Sequence, residues 1–131
     1  MHIGIPKEIK NHEYRVALTP TGAASLVAAG HRVTVEHNAG YAVGMDDASY
    51  RAAGADIGEN AAAVFDCDLL VKVKEPQTVE VARLHSGQLL FCYLHLAPAP
   101  ELARALMARG VSAIAYETVA NGQGTLPLLQ P

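Results

Sequence analysis

The chain has 131 residues, of which 50% are hydrophobic, 5% aromatic and 18% charged, and its formal net charge is −3. This length and composition predict one soluble domain with a core of small aliphatic side chains, and they leave no room for a second domain. The negative balance excludes nucleic acid and an anionic membrane as partners, and no apolar run approaches the roughly 18 residues of a membrane helix.

The sequence shows neither a signal-peptide pattern nor a cysteine motif for a disulfide or a metal site. The N-terminal residues lack the charged and apolar regions of a signal peptide, so we expect a cytoplasmic protein. Cys67 and Cys92 lack C-x-x-C spacing and fall in or beside predicted strands, which indicates two small core residues. Because no histidines, cysteines or carboxylates have ligand spacing, we predict no metal site.

The first half of the chain alternates between strand and helix patterns. His2–Pro6 is a short apolar strand, and a polar loop follows it. Thr19 and Pro20 are typical of a helix start, and Gly30 is typical of a helix end. The remaining elements of this half are predicted as a strand at 32–36, a short helix at 47–53, a minor strand at 55–57 and a helix at 60–65.

The stretch Leu69–Pro76, Leu-Leu-Val-Lys-Val-Lys-Glu-Pro, organises the second half. Its apolar start is typical of a buried central strand, and the proline forces a turn where the charged side chains appear. Lys72 and Lys74 lie two residues apart and are expected on one face. For Lys72 we favour a solvated strand end, whereas Lys74, beside the turn, fits a surface role and a ligand-facing role equally well.

A further strand, predicted at 88–93 after a helix at 79–84, leads into Leu-His-Leu at 94–96. His95 is therefore either a packing histidine or an acid/base at a strand end. Pro100 and Gly110 are the expected limits of the next helix. A strand at 111–116 then ends at Glu117, and the tail 120–131 is typical of an exit segment.

This alternation predicts an α/β fold of one domain, with a Rossmann-like or flavodoxin-like parallel sheet and helices on both faces. Ligands bind beyond the carboxyl ends of such strands. Arginine binds carboxylates through two parallel hydrogen bonds, lysine stabilises charge on a carbonyl oxygen, and histidine exchanges protons near neutral pH. The side chains expected along this one edge suit a small oxo or amino acid; they are Arg15, Lys74, His95 and Glu117.

With these residues assembled, the chain resembles the amino-terminal part of alanine dehydrogenases, which are related to the α subunit of nicotinamide nucleotide transhydrogenase. The resemblance covers all 131 residues, and the paired lysines and the His95 segment are similar to the alanine dehydrogenase branch. Its motifs, in order, are Gly-Ile-Pro-Lys-Glu at 4–8, Asn-His-Glu-Tyr-Arg-Val at 11–16, Leu-Val-Lys-Val-Lys-Glu-Pro at 70–76, Leu-His-Leu-Ala at 94–97, Ala-Tyr-Glu-Thr-Val at 115–119 and Leu-Pro-Leu-Leu at 126–129.

The resemblance implies a reaction and a set of roles. Alanine dehydrogenases oxidise L-alanine with NAD to an imine that is hydrolysed to pyruvate and ammonium. By resemblance, Arg15 binds the substrate carboxylate, Lys74 contacts the substrate oxygen and His95 is the catalytic acid/base. The candidates for supporting roles are Lys72, Glu75, Tyr93 and Glu117.

The nucleotide site of the family has no counterpart in the sequence, because Gly40-x-x-x-Gly44 is not the dinucleotide fingerprint. The family continues with a Rossmann domain that binds NAD, and its full-length members are implied to be homo-oligomers, hexamers by resemblance. We therefore expect residues 1–131 to be a substrate-side fragment that is inactive alone and self-associates. A transhydrogenase-like domain and a noncatalytic small-acid-binding module remain the alternatives.

Overall fold

The computed structural model describes residues 1–130 as a six-stranded parallel sheet with five α-helices. The strands are β1 His2–Ile5, β2 Arg32–Glu36, β3 Asp56–Gly58, β4 Leu69–Val71, β5 Leu89–Cys92 and β6 Ser112–Ala115. The helices are α1 Pro20–Ala28, α2 Asp47–Ala52, α3 Ala61–Phe65, α4 Thr78–Val81 and α5 Pro100–Arg109, and short 3-10 turns occupy Tyr41–Val43 and Tyr116–Thr118. The last residue of the expected exit segment, Pro131, lies outside the described residues.

The strand order is β3-β2-β1-β4-β5-β6, and every pair of neighbours is parallel. This is the Rossmann order, which settles the choice that the sequence pattern left between Rossmann-like and flavodoxin-like sheets. The direction of winding reverses between β1 and β4. A crevice forms beyond the carboxyl ends of two such strands, so the segments that follow β1 and β4 are placed to bind a ligand.

Two hydrophobic clusters, one on each face of the sheet, hold the helices in place. On one face, Ile5 and Val35 pack with Ala23 of α1 and Tyr50 of α2. The second cluster joins strands β4 and β5 to helices α3 and α5 through Phe65, Leu70, Leu90, Cys92 and Leu106. Cys67 also belongs to it, and both cysteines are free and buried, which confirms their predicted role in the core.

The predicted helix termini are largely confirmed. The Thr19 hydroxyl accepts a hydrogen bond from the Gly22 N–H at 3.1 Å, and Pro20 begins α1. Gly30 and Gly110 follow α1 and α5 with φ of 86° and 67°, a left-handed conformation that glycine adopts without a steric penalty. The helix predicted at 79–84 is wrong in extent, because α4 covers only Thr78–Val81.

A close approach of α3 to β1 depends on Gly4. A Cβ atom built there would lie 2.3 Å from the Val64 carbonyl oxygen and 2.8 Å from Cys67 Sγ. Since the nearer atom belongs to the backbone, no rotamer change relieves the overlap. Gly4 therefore sets how tightly α3 packs on the centre of the sheet.

The longest helix, α5, has 10 residues. No helix among residues 1–130 has the length and apolar character needed to cross a membrane.

Candidate active site

The segments beyond β1, β4, β5 and β6 lie at one edge of the sheet, because all four strands are parallel. Lys74 and His95 each follow the last residue of their strand by three positions, and Glu117 follows β6 directly in a 3-10 turn. Arg15 is further from its strand, in the long loop between β1 and α1. The topology thus brings these segments to the edge where ligands bind in folds of this class.

Arg15 is held by a neighbouring carboxylate. Its Nε and Nη2 atoms donate to the two oxygens of Glu13 at 2.8 and 2.7 Å, and its backbone N–H donates to Glu13 Oε1 at 3.0 Å. The Arg15 hydrogen bonds lower the Glu13 pKa to about 2, from an ordinary value of 4.5. The Arg15 side chain is 58% exposed. Because Glu13 occupies only one side of the guanidinium, the Nη1 side remains available for a second carboxylate.

Lys74 is half-buried, and its ammonium makes no ion pair or hydrogen bond with residues 1–130. Its charge contributes to lowering the Glu13 pKa, so the ammonium lies within electrostatic range of the carboxylate that holds Arg15. A lysine in this setting keeps all three N–H donors for a ligand.

Lys72 is not the solvated strand end that the sequence predicts. Strand β4 ends at Val71, and the Lys72 side chain is fully buried. Its Nζ atom lies 3.1 Å from Glu8 Oε2 and 2.9 Å from Glu80 Oε1. Lys72 and Lys74 therefore do not share an exposed face, because these two carboxylates hold Lys72 in the interior.

Glu75 lies between the side chains of Lys10 and His95. Lys10 Nζ pairs with Glu75 Oε1, and His95 Nδ1 lies 3.5 Å from Glu75 Oε2. That second oxygen is buried and has no hydrogen-bond partner within residues 1–130. Burial opposes ionisation of Glu75, but the hydrogen bond and charge of Lys10, together with the Glu75 backbone N–H, outweigh it, and the Glu75 pKa lies below its ordinary value. An ionised Glu75 attracts an Nδ1–H group of His95 and leaves Nε2 free for a ligand.

Glu117 fixes the backbone around His95. One of its oxygens accepts from the His95 N–H at 2.7 Å and from the Leu94 N–H at 3.0 Å. Burial opposes ionisation, but these N–H groups keep the Glu117 pKa below its ordinary value. His95 itself has φ of 49°, a left-handed conformation that is uncommon for residues with a Cβ atom. Glu117 therefore stabilises an unfavourable backbone conformation at His95.

Aromatic side chains line a cleft of about 320 Å³ beside Arg15. Tyr116 packs edge-on against Phe91 and Tyr93, with ring centroids 4.3 and 4.8 Å apart. The Tyr93 hydroxyl donates to the Leu128 carbonyl at 2.8 Å, which brings the C-terminal segment to the cleft. The Tyr93 ring also lies 6.0 Å from the His95 ring, measured between centroids. Tyr93 therefore links the Arg15 cleft to His95.

Sequence reasoning missed four residues that organise this edge: Glu8, Lys10, Glu13 and Glu80. Glu13 has a readable signal, since a carboxylate two residues before an arginine in a loop can reach its guanidinium. Glu8 and Glu80 have none, because each meets Lys72 only after the chain folds. Within residues 1–130, no group of three or more histidine, cysteine or carboxylate side chains is arranged to hold a metal ion.

Comparison with known proteins places this geometry in a family. The family model described as "Alanine dehydrogenase/PNT, N-terminal domain" matches residues 4–131. The alanine dehydrogenases of Halomonas elongata and Bacillus subtilis are 54% and 53% identical over the whole chain, which covers 36% and 34% of their lengths. The chain thus spans about a third of the curated relatives that it matches.

Solved structures agree with the sequence relatives. A structure of L-alanine dehydrogenase superposes with a TM-score of 0.96 at 49% identity, over 98% of this chain and 36% of that one. A transhydrogenase from Sinorhizobium meliloti superposes with a TM-score of 0.88 at 28% identity, over 92% of this chain and 36% of that one. The chain belongs to the alanine dehydrogenase/PNT N-terminal domain family.

Proposed function

We propose that this chain supplies the substrate side of an L-alanine dehydrogenase, which reversibly converts L-alanine to pyruvate and ammonium with NAD. The observation that supports this most is the Arg15 guanidinium, which lines the aromatic cleft with one side available. Lys74 does not line this cleft, but its charge acts on Glu13, the partner of Arg15, and its ammonium has no partner within residues 1–130. His95 lines a separate cavity together with Glu117. The His95 ring lies next to that of Tyr93, which lines the aromatic cleft.

Each of the three side chains has a distinct part in this proposal. The free side of Arg15 binds the carboxylate of alanine or pyruvate by two parallel hydrogen bonds. The Lys74 ammonium donates to the carbonyl oxygen of pyruvate and stabilises the negative charge that develops on it. His95, with Nδ1 beside the Glu75 carboxylate, moves protons at Nε2 as water adds to and leaves the imine carbon.

Residues 1–130 do not fit the nicotinamide dinucleotide of the family. A pyrophosphate needs a glycine-rich turn that leads from a strand directly into a helix N-terminus. Here a loop of 13 residues connects β1 to Thr19, the cap of α1, and it carries the buried carboxylate of Glu8 at the switch point. A long loop of this kind presents no helix N-terminus to a phosphate at the end of β1. We therefore propose that NAD binds a separate domain of the full-length protein. By family resemblance, we also propose that the full-length protein is a homo-oligomer, specifically a hexamer.

The identity values favour alanine dehydrogenase over a transhydrogenase-like function. Relatives named alanine dehydrogenase reach 54% identity, against 28% for the transhydrogenase structure. Lys74 and His95 also serve no packing role that would explain them in a noncatalytic module, since Lys74 Nζ is unpaired within residues 1–130 and the His95 side chain is 48% exposed.

The test is a pair of lysine variants in the full-length polypeptide that contains this chain. Lys74→Met removes the donor to the substrate oxygen and should lower kcat for alanine roughly 100-fold, the size of effect seen when one oxyanion donor is lost. Lys7→Met makes the same chemical change at an exposed lysine and should leave turnover within about twofold. The measurement is NADH formation from L-alanine and NAD.

Arg15→Lys tests the carboxylate site in the same assay, because lysine keeps the charge and loses the planar fork. We expect KM for pyruvate to rise roughly tenfold or more. Equal activity of Lys74→Met and Lys7→Met, or turnover of pyruvate that is indifferent to Arg15→Lys, would contradict the proposed function.

A further inference from the structure

Three charged side chains are buried together beneath the candidate site. Glu8, Lys72 and Glu80 are 7%, 0% and 3% exposed. The Lys72 ammonium lies between the two carboxylates, so the cluster contains two acidic groups and one basic group. Burying charges is unfavourable and seldom adds stability over an apolar core. A cluster of this kind calls for an explanation other than stability.

The two carboxylates make different contacts with the backbone. Glu8 Oε1 accepts from the Val73 N–H at 2.7 Å, and Glu8 Oε2 accepts from the Lys74 N–H at 3.4 Å. Glu80 instead accepts from the Gln77 N–H at 2.7 Å, at the start of α4. Of the two carboxylates, only Glu8 connects the loop after β1 to the backbone of Val73 and Lys74, just beyond the end of β4.

These Glu8 hydrogen bonds connect the segments after β1 and β4, between which the sheet reverses its winding, and they fix the backbone that carries the Lys74 side chain. A lysine side chain has four rotatable bonds, so its ammonium is well placed only if the backbone that carries it is rigid. Misplacement of a catalytic group by about 1 Å can lower a rate about 100-fold. The Val73 and Lys74 N–H groups lie beyond the last residue of β4, where Glu8 supplies the acceptors that fix them.

We infer that Glu8 is a positioning residue for Lys74, with the buried Lys72 ammonium as its counterion. The inference rests on the proposed function, because Lys74 must act on the substrate for its position to matter. Glu8 acts by holding the Lys74 backbone, and Lys72 orients the Glu8 carboxylate.

Glu8→Gln is the informative substitution in the full-length polypeptide. Glutamine has the same shape, but one of its two terminal atoms is an NH₂ donor, so it cannot accept from both N–H groups and from Lys72. The fold should survive because the Lys72 ammonium still pairs with the Glu80 carboxylate, so that one buried positive charge is balanced by one buried negative charge. We expect kcat to fall at least tenfold, whereas KM for pyruvate changes less than threefold because Arg15 is untouched.

Glu80→Gln is the matched control. It makes the same chemical change in the same buried cluster and also removes a carboxylate from Lys72, but it leaves both Glu8 contacts to the Lys74 segment intact. We expect its kcat to stay within about threefold of the parent value. Similar losses of kcat in Glu8→Gln and Glu80→Gln would overturn the inference, because they would show a general effect of the buried charge.

A double-mutant cycle provides the decisive readout. If Glu8 acts through Lys74, adding Glu8→Gln to Lys74→Met should lower kcat by less than twofold further. Independent, multiplying effects would overturn the inference and leave the proposed function standing. A normal kcat in Lys74→Met would overturn the proposed function and this inference with it.

Thermal unfolding shows whether each variant is folded. Should Glu8→Gln fail to fold, Glu8→Asp replaces it, because aspartate keeps the charge beside Lys72 but is too short by one methylene to reach the two N–H groups. The same loss of kcat and the same lack of additivity with Lys74→Met are then expected. A Glu8→Asp variant with normal kcat would overturn the inference.

Discussion

Glu13 and Arg15 bind each other in the loop between β1 and α1, and the pair prepares the guanidinium for a ligand. A free arginine side chain would lose its conformational freedom on binding a carboxylate. Here the two hydrogen bonds to Glu13 have already fixed the plane of the fork. In the proposed function the substrate carboxylate meets a rigid donor pair, which favours affinity because less freedom is lost on binding.

The titration of Glu13 tests this pair directly. We expect its pKa at about 2, against an ordinary 4.5. Because the folded pKa lies below the unfolded one, the ionised group stabilises the fold above pH 4.5, and this contribution is lost as the pH falls from 4.5 toward 2. Carboxyl ¹³C NMR titration of the chain measures it.

Arg15→Ala is the control for this titration and should return the Glu13 pKa most of the way to its ordinary value. An identical Glu13 pKa in the parent and in Arg15→Ala would contradict the fork geometry. Glu8 should titrate in the opposite direction, because burial raises its pKa and the Lys72 charge offsets the rise only in part.

Sequence reasoning identified Arg15, Lys74 and His95 as candidates because each follows a strand end or stands beside an apolar run. It failed at Lys72, whose neighbours in sequence give no hint of a buried ion pair. The partners of Lys72 lie 64 and 8 residues away and meet it only in the folded sheet. Lys72→Met would leave two buried carboxylates without their cation, so it is a poor control for Lys74.

Among the secondary-structure elements, the strands and four of the five helices follow the sequence pattern closely, whereas α4 does not. Caps and glycine stops fixed the limits of α1 and α5. Helix α4 has four residues and begins at Thr78, where Glu80 accepts the Gln77 N–H. Its position depends on a side chain that Lys72 also binds, and local propensity carries no information about such a contact.

The packing of α3 on β1 gives a prediction at this scale. Gly4→Ala should lower the free energy of unfolding by roughly 1–3 kcal/mol, the usual effect of forcing an extra methyl group into a close contact. Its Cβ would overlap the Val64 carbonyl oxygen. Gly122→Ala adds the same atom where nothing lies within 4 Å and should change stability little. Urea denaturation of both variants checks this, and an equal stability of the two would contradict the packing.

For the molecule as a whole, the two faces of the sheet are covered unequally. One row of side chains runs in register across β4, β5 and β6 and consists of Val71, Phe91 and Ile114. These side chains lie on the face of the sheet that α1 and α2 cover at strands β1 to β3. Within residues 1–130, Ile114 is left 49% exposed on this face. Edge strand β6 thus presents both apolar side chains and unpaired backbone groups.

We expect the chain to self-associate through this face when it is prepared alone. Ile114→Lys places a charge on the exposed part of this face and should shift the chain toward monomer in sedimentation velocity experiments. Met107→Lys replaces an exposed apolar side chain on α5, outside this face, and should leave the association unchanged. A monomeric parent chain at concentrations of about 0.1 mM, or equal effects of the two lysine variants, would contradict the expectation.

The left-handed backbone of His95 has a consequence for evolution. A residue with a Cβ atom in that conformation lowers the stability of the fold by roughly 1 kcal/mol, and glycine or asparagine would be tolerated better there. Neither of those residues can move a proton at neutral pH. Under the proposed function, selection for stability and selection for turnover therefore oppose each other at this position, and a lineage that no longer needs the proposed turnover should lose this histidine early.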